Sequence, residues 1–234
     1  VQAERPTDPF DLVYHLAAAN PSGYIYAVVA GESAFVGASP ELLLARHGNR
    51  IQVNPLAGSA RRGKGEDDAA VGAQLLASAK NQAEHAIVVD DLVARLGALT
   101  TDLNYPEGPS LRRMATVQHL STRITATLRD GISTFAVLES IHPTPAVGGM
   151  PRPEALAFID KAEGVDRGWY SGGVGWLDAG GGAVVALALR CALLNGRTSR
   201  LYAGNGIVAE SDPAAELEET RLKFQPLLTL LAAT

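Results

Sequence analysis

Three side chains near the end of the chain, Glu216, Glu219 and Lys223, stand at i, i+3 and i+7 in the segment ELEETRLK. A helix with that spacing turns all three toward one face. Just before it, AGNGIV carries Gly204 and Gly206, whose backbone can present free N–H groups. Carboxylates, an ammonium and such a turn could hold a divalent cation and an anion side by side. The same spacing also describes a solvated helix with ordinary charge pairs. KNQAEH offers a further hard oxygen, Glu84, readable as a metal ligand or as part of a solvent-facing turn. Magnesium retains several waters, so two or three glutamates suffice for it.

Other residues carry chemistry singly. Glu41 stands between Pro40 and three leucines. Burial there would raise its pKa and suit it to donate a proton, unless it merely ends a strand and faces water. Arg190 interrupts ALALRCALL and must meet an anion, from the protein or from a ligand. His119 in VQHLST reads as a hydrogen-bonded core residue or as a catalyst. His15 and His47 read as surface or turn residues, and His85 as a helical neighbour of Glu84. Gly58, Gly63 and Lys64 match a phosphate-loop spacing, but Gly65 replaces its serine or threonine and Glu66, Asp67 and Asp68 would repel phosphate. Arg61, Arg62 and Lys64 read instead as a solvated basic loop near an anionic ligand.

The elements that must position these groups follow from periodicity. A helix spans Asp8 to Asn20, and GYIYAVVAGESAFVGAS forms two strands turning at Gly31–Glu32. Glu41 to Pro55 is a hairpin turning at Gly48–Asn49, and LAGSARRGKGEDD a loop. One helix covers Asp68 to Leu99, and Met114 to Leu128 is one strand. Short helices fall at Thr134–Ile141 and Glu154–Ala162, on either side of a proline- and glycine-rich stretch. Val174–Trp176, Ala183–Leu194 and Arg200–Val208 are antiparallel strands. The last helix is capped by Ser211 or Asp212 and packs through Leu217, Leu222 and Leu227. Hairpins with interposed helices predict an α+β fold rather than parallel βαβ units.

Bulk properties narrow the function. The 234 residues are 47% hydrophobic and 19% charged, enough for one domain with a sizeable core. A net charge of −5 argues against nucleic acid or anionic membrane as partner. No apolar run is long enough to span a bilayer. The polar first residues do not read as a secretory leader, and the start at Val1 reads as a fragment or a processed product. A single cysteine, Cys191, makes no internal disulfide and suits the cytoplasm.

In chain order, GASPELLL, PLAGSARRG, KNQAEH, VQHLST, HPTPAVGG, DRGWYSGGVGW, ALRCALL, YAGNGIV and EETRLK resemble the chorismate-utilising enzymes over nearly the whole chain. That family includes isochorismate synthase, salicylate synthase, the anthranilate synthase large subunit and aminodeoxychorismate synthase. The sequence looks most like the isochorismate synthases of siderophore and menaquinone routes. Ala146 stands where salicylate and anthranilate synthases usually carry threonine, and PLAGSARRG lacks the lysine of aminodeoxychorismate synthases.

The resemblance implies two large antiparallel sheets packed together, helices outside and the active site between them. It implies Glu41 as the acid that protonates the departing C4 hydroxyl, and His119 close to the reacting ring. Glu84 and Glu219 would bind Mg2+, with Glu216 as a nearby or water-mediated third. Ser59, Ala146, Leu189, Arg190, Tyr202, Gly204 and Lys223 would contact chorismate. The family's water-activating lysine lies in a strand preceding the Asp8–Asn20 helix, and no such motif occurs here. Residues 1–234 are therefore expected to form the C-terminal portion of a catalytic domain, inactive alone. Asn205 replaces the small residue usual between the two glycines, where asparagine tolerates a left-handed backbone. A monomer without a glutaminase subunit is expected, with salicylate synthesis or binding without chemistry as alternatives.

Overall fold

The structure, a computed structural model, describes residues 1–233. Asp8 accepts from the Phe10 N–H at 2.8 Å and opens helix α1 (Pro9–Ala19), whose first residue is a proline. Two apolar runs around Gly31–Glu32 form strands β1 (Tyr24–Ala30) and β2 (Ser33–Ser39). The hairpin at Gly48–Asn49 joins β3 (Leu42–His47) to β4 (Arg50–Asn54), which continues past Pro55 as β5 (Leu56–Arg61). Helices α2 (Glu66–Ala77) and α3 (Ala79–Gly97) follow, separated by Ser78, which caps the second. Strands β6 (Thr100–Asn104), β7 (Ser110–Arg113), β8 (Val117–Ser121) and β9 (Ile124–Leu128) come next. Then come helices α4 (Thr134–Ile141), α5 (Pro145–Gly148) and α6 (Arg152–Ala162). Strands β10 (Gly173–Leu177), β11 (Ala183–Leu187), β12 (Cys191–Asn195) and β13 (Thr198–Tyr202) precede helix α7 (Pro213–Ala233).

The fold is α+β, and every strand pair of the described sheets is antiparallel. The two larger sheets have orders β1-β2-β12-β13 and β10-β11-β3-β4-β9-β6, and a third has order β5-β8-β7. Long strands change sheet midway. β2 passes into β3 at Pro40–Glu41, and its neighbour β12 is reached from β11 through Ala188, Leu189 and Arg190. The two crossings are stitched together, the Leu187 N–H donating to the Glu41 carbonyl at 3.1 Å and the Ala38 N–H to that of Arg190 at 3.2 Å. β4–β5 and β8–β9 make a second double crossing, held by the Thr122 N–H on the Pro55 carbonyl.

Each large sheet buries its own apolar face. Val88, Leu92 and Leu96 of α3, with Val137 and Ile141 of α4, pack on Leu44, Val53, Ile124 and Leu187. Leu12 and Leu16 of α1, with Leu227 of α7, cover Val36 and Leu194 of the four-stranded sheet. The helices lie outside and the sheet crossings between the two cores, so a site at the crossings stands on rigid backbone from both.

Several sequence expectations change. LAGSARRG is not a loop up to Arg61 but strand β5, its small residues paired against β8. Met114–Leu128 and Ala183–Leu194 are each two strands in different sheets, since a strand buried on both sides of a bend keeps its apolar pattern through it. Asp68–Leu99 is two helices for a similar reason, Ser78 being an internal cap. β6 and β7 were not expected, and β13 ends at Tyr202 rather than Val208. Leu217 does not pack: it is 51% exposed, because Glu216, Lys223 and Leu227 define the inward face of α7.

Candidate active site

A cavity of about 640 Å³ opens where the sheets exchange strands. Glu41, Ser59, Glu84, His119, Ala146, Leu189, Arg190, Tyr202, Gly204 and Lys223 all line it, from eight sequence neighbourhoods. Glu216 and Glu219 are not in its wall.

Glu41 lies on one sheet crossing, 3% exposed, with the Leu56 N–H donating to its Oε1 at 3.4 Å. Burial pushes its pKa up to about 8, against the opposing pull of that donor and of Arg190 and Lys223. At neutral pH it is a protonated acid facing the cavity.

Arg190 lies on the adjacent crossing with a left-handed φ of 49°, a conformation uncommon outside glycine. Its Nη2 donates to His119 Nε2 at 3.1 Å. An arginine cannot accept, so Nε2 is the acceptor and Nδ1 carries the ring proton. Nδ1 therefore donates to Ser59 Oγ at 2.9 Å. Burial, followed by Arg190 and Lys223, holds His119 well below the ordinary histidine range, so the ring is neutral. Among the described residues no carboxylate makes a salt bridge with Arg190. Among the described residues, therefore, no ion pair supplies the anion that the sequence led one to expect for this arginine. Burial lowers its pKa to about 10, which still leaves it charged at neutral pH.

Lys223 reaches the cavity from α7, its Nζ donating to the Gly204 carbonyl at 3.0 Å and Asn205 Oδ1 at 2.6 Å. Glu219, one turn earlier, pairs with the same ammonium at 2.7 Å. The segment after β13 runs close to both walls, which explains its glycines. A Cβ at Gly204 would stand 2.9 Å from the Tyr170 hydroxyl, and one at Gly206 only 2.5 Å from Glu84 Oε1. Tyr170 stacks on Tyr202 with ring centroids 5.4 Å apart.

These groups, a buried acid, an unsaturated arginine, a buried ammonium and a carboxylate in one cavity, suit a small polyanion. The family model for chorismate binding enzymes matches residues 1–232. The chain belongs to that family. This chorismate-binding enzyme is 41% identical over 211 residues to isochorismate synthase MenF of Bacillus subtilis, covering 90% of this chain and 45% of the relative. It is 41% identical over 227 residues to the salicylate biosynthesis isochorismate synthase of Pseudomonas aeruginosa, covering 97% and 48%. The solved menaquinone-specific isochorismate synthase MenF of Escherichia coli superposes with a TM-score of 0.89 at 34% identity, over 97% of this chain and 53% of that one. The chain thus spans about half the length of these relatives.

The family's metal can be tested against the side chains present. Among the described residues no three His, Cys, Asp or Glu groups gather as a ready-made metal site. Glu216 is otherwise engaged: its Oε1 takes Lys80 Nζ at 2.5 Å and Ser211 Oγ at 2.7 Å, and its Oε2 takes Asn205 Nδ2 at 3.1 Å. Glu84 remains, with Glu219, whose Oε1 also pairs with the Lys223 ammonium at 2.7 Å. Burial raises Glu84 above the usual carboxylate range, and repulsion from Glu219 adds to this against the Gly58 backbone. Two hard-oxygen carboxylates that repel each other beside a cavity fit a magnesium ion that keeps waters or takes substrate oxygens.

In the chorismate-binding enzyme Gly206→Ala tests this geometry. The added methyl displaces Glu84, a movable side chain, so the expected loss is in metal use and not in folding. The Kd for added Mg2+ is expected to rise about tenfold, with Tm lowered by less than about 3 °C.

Other expectations fare less evenly. Arg61 and Arg62 were expected in a basic loop near an anionic ligand. They pair with Asp67 at 2.7 Å and Asp68 at 2.7 Å, and neither lines the cavity. His85 is more than a helical neighbour: it is buried, and its Nε2 lies 2.7 Å from Thr122 Oγ1. Sequence reasoning missed Lys80 and Tyr170. Lys80 stands four residues before Glu84 on α3, hence on the same face, which is a signal that was present. Tyr170 lies in a stretch without periodicity, and its signal was its place in the motif DRGWYSGGVGW.

Proposed function

We propose that the chain is the chorismate-binding portion of a magnesium-dependent isochorismate synthase. The single observation that carries this reading is Arg190: a charged guanidinium in the cavity wall, hydrogen-bonded to a neutral histidine and left without a salt bridge to any described carboxylate. Chorismate is a dianion, and a carboxylate of the substrate completes that arginine. Lys223 serves the second centre of negative charge from the opposite element. Glu41 holds a proton at neutral pH and delivers it to the departing C4 hydroxyl, so that water leaves as another water's oxygen bonds to C2. Glu84 and Glu219 would hold Mg2+, which supplies charge neutralisation for a substrate carboxylate. His119, fixed by Ser59 and Arg190, stays an uncharged neighbour of the ring and keeps Arg190 aimed. Ala146, Leu189 and Tyr202 shape the apolar part of the wall.

The water-activating lysine that the resemblance implies has no matching motif in residues 1–234, so this segment alone is proposed to bind without turnover. The working enzyme is proposed to be a cytoplasmic monomer needing no glutaminase. No described helix is long and apolar enough to cross a membrane.

Product analysis of the full-length protein with chorismate and Mg2+ tests the reading. Isochorismate is expected, without pyruvate in a lactate dehydrogenase-coupled assay. Release of pyruvate in step with chorismate loss would assign salicylate synthesis instead, against which Ala146 argues.

A further inference from the structure

We propose that Asn205 is a positioning residue that fixes the Lys223 ammonium in the cavity, and that Glu216 serves to aim the Asn205 amide. The inference rests on the isochorismate synthase reading of this same site and assigns two residues within it. Lys223 Nζ can only donate, so the atom 2.6 Å from it must be Asn205 Oδ1. The Asn205 amide nitrogen then faces two acceptors, the Glu216 carbonyl at 2.6 Å and Glu216 Oε2 at 3.1 Å. The opposite flip would set oxygen against both, so one amide orientation satisfies every partner. Glu216 is itself fixed by Lys80 and Ser211 on its other oxygen.

The chain of contacts therefore runs from α3 through Glu216 and Asn205 to Lys223 and ends in the cavity. Asn205 is not there for its backbone. Among the described residues only Ser171 and Arg190 have positive φ without being glycine, so the left-handed conformation expected of Asn205 is absent and alanine can take its place without strain. A small residue at this position would leave Lys223 held by Gly204 and Glu219 alone.

The test uses the full-length enzyme and reads chorismate Kd by calorimetry alongside initial rates. Asn205→Ala is expected to raise Kd and KM about tenfold, the usual size of one hydrogen bond to a charged group, with kcat within about threefold. Half-saturating Mg2+ should stay within about twofold, since neither residue is a metal ligand in this scheme. Glu216→Ala removes only the 3.1 Å contact and keeps the backbone carbonyl that also holds the amide, so it should raise Kd in the same direction by less, about threefold, and the double variant should be no worse than Asn205→Ala alone, because both act through one ammonium. A merely structural contribution would lower Tm and kcat together and add in the double variant. Unchanged chorismate Kd in Asn205→Ala, additive losses, or a tenfold rise in half-saturating Mg2+ in Glu216→Ala would each overturn the proposal. If the wild type makes no isochorismate, the functional reading fails, and the chorismate Kd series still decides the role of Asn205.

Discussion

On the proposed isochorismate synthase reading, Glu41→Gln in the full-length enzyme is expected to lower kcat for isochorismate formation by about 10³-fold, the scale of a lost general acid, while chorismate binds nearly as before. Glutamine keeps the shape and the Leu56 N–H contact but has no proton to give. The pH dependence carries the same signature. Glu41 titrates near 8, so the wild-type rate has a limb that falls as pH rises through about 8 and the acid form is lost. The variant's residual rate lacks that limb. Stability follows with the opposite advantage for the variant. The folded state holds its proton up to about 8, whereas an ordinary glutamate releases it at 4.5. Folding therefore takes up a proton between those values, and wild-type stability falls as pH rises through that window. Glutamine removes the dependence, so Tm of Glu41→Gln should vary less with pH. A pH–rate profile and a pH series of melting curves check both.

The burial of Glu41 was the reading its neighbours favoured over a water-facing strand end, because a proline and three leucines around it leave little room for a solvent-facing turn, and it is 3% exposed. Arg190 was legible because it interrupts an apolar run, and among the described residues it has no salt bridge where it stands beside the cavity. The bends that join the sheets were not legible. Ala188–Arg190 carries no proline or glycine, and both flanks are buried, so the apolar pattern runs on while the strand changes partners. The role of Glu216 was unreadable for another reason. Spacing along a helix assigns a face, but only the fold brings Lys80, 136 residues away, against that carboxylate.

Removing Glu219 should be equally severe. Glu219→Ala strips one carboxylate from the proposed metal pair and leaves the buried Lys223 ammonium without its ion-pair partner. Turnover is expected to fall by about 10³-fold or more, from several kcal/mol of lost charge stabilisation. Glu219→Gln separates the two effects. It can still accept from Lys223, so folding is retained, yet it is a weak magnesium ligand and activity should remain low even at high Mg2+. Wild-type enzyme stripped by chelator should lose turnover and regain it with Mg2+. Full activity in Glu219→Gln would remove this residue from the metal site.

The claim at the centre is that two carboxylates from distant stretches of chain, on α3 and α7, share one divalent ion at the cavity. Crystals of the full-length enzyme grown with Mn2+ in place of Mg2+, measured for anomalous scattering, test it most directly. The account predicts a single peak within coordination distance, about 2 to 2.3 Å, of both Glu84 and Glu219, with Glu216 still on Lys80. A peak bound by Glu216, or none between Glu84 and Glu219 with chorismate present, would contradict it.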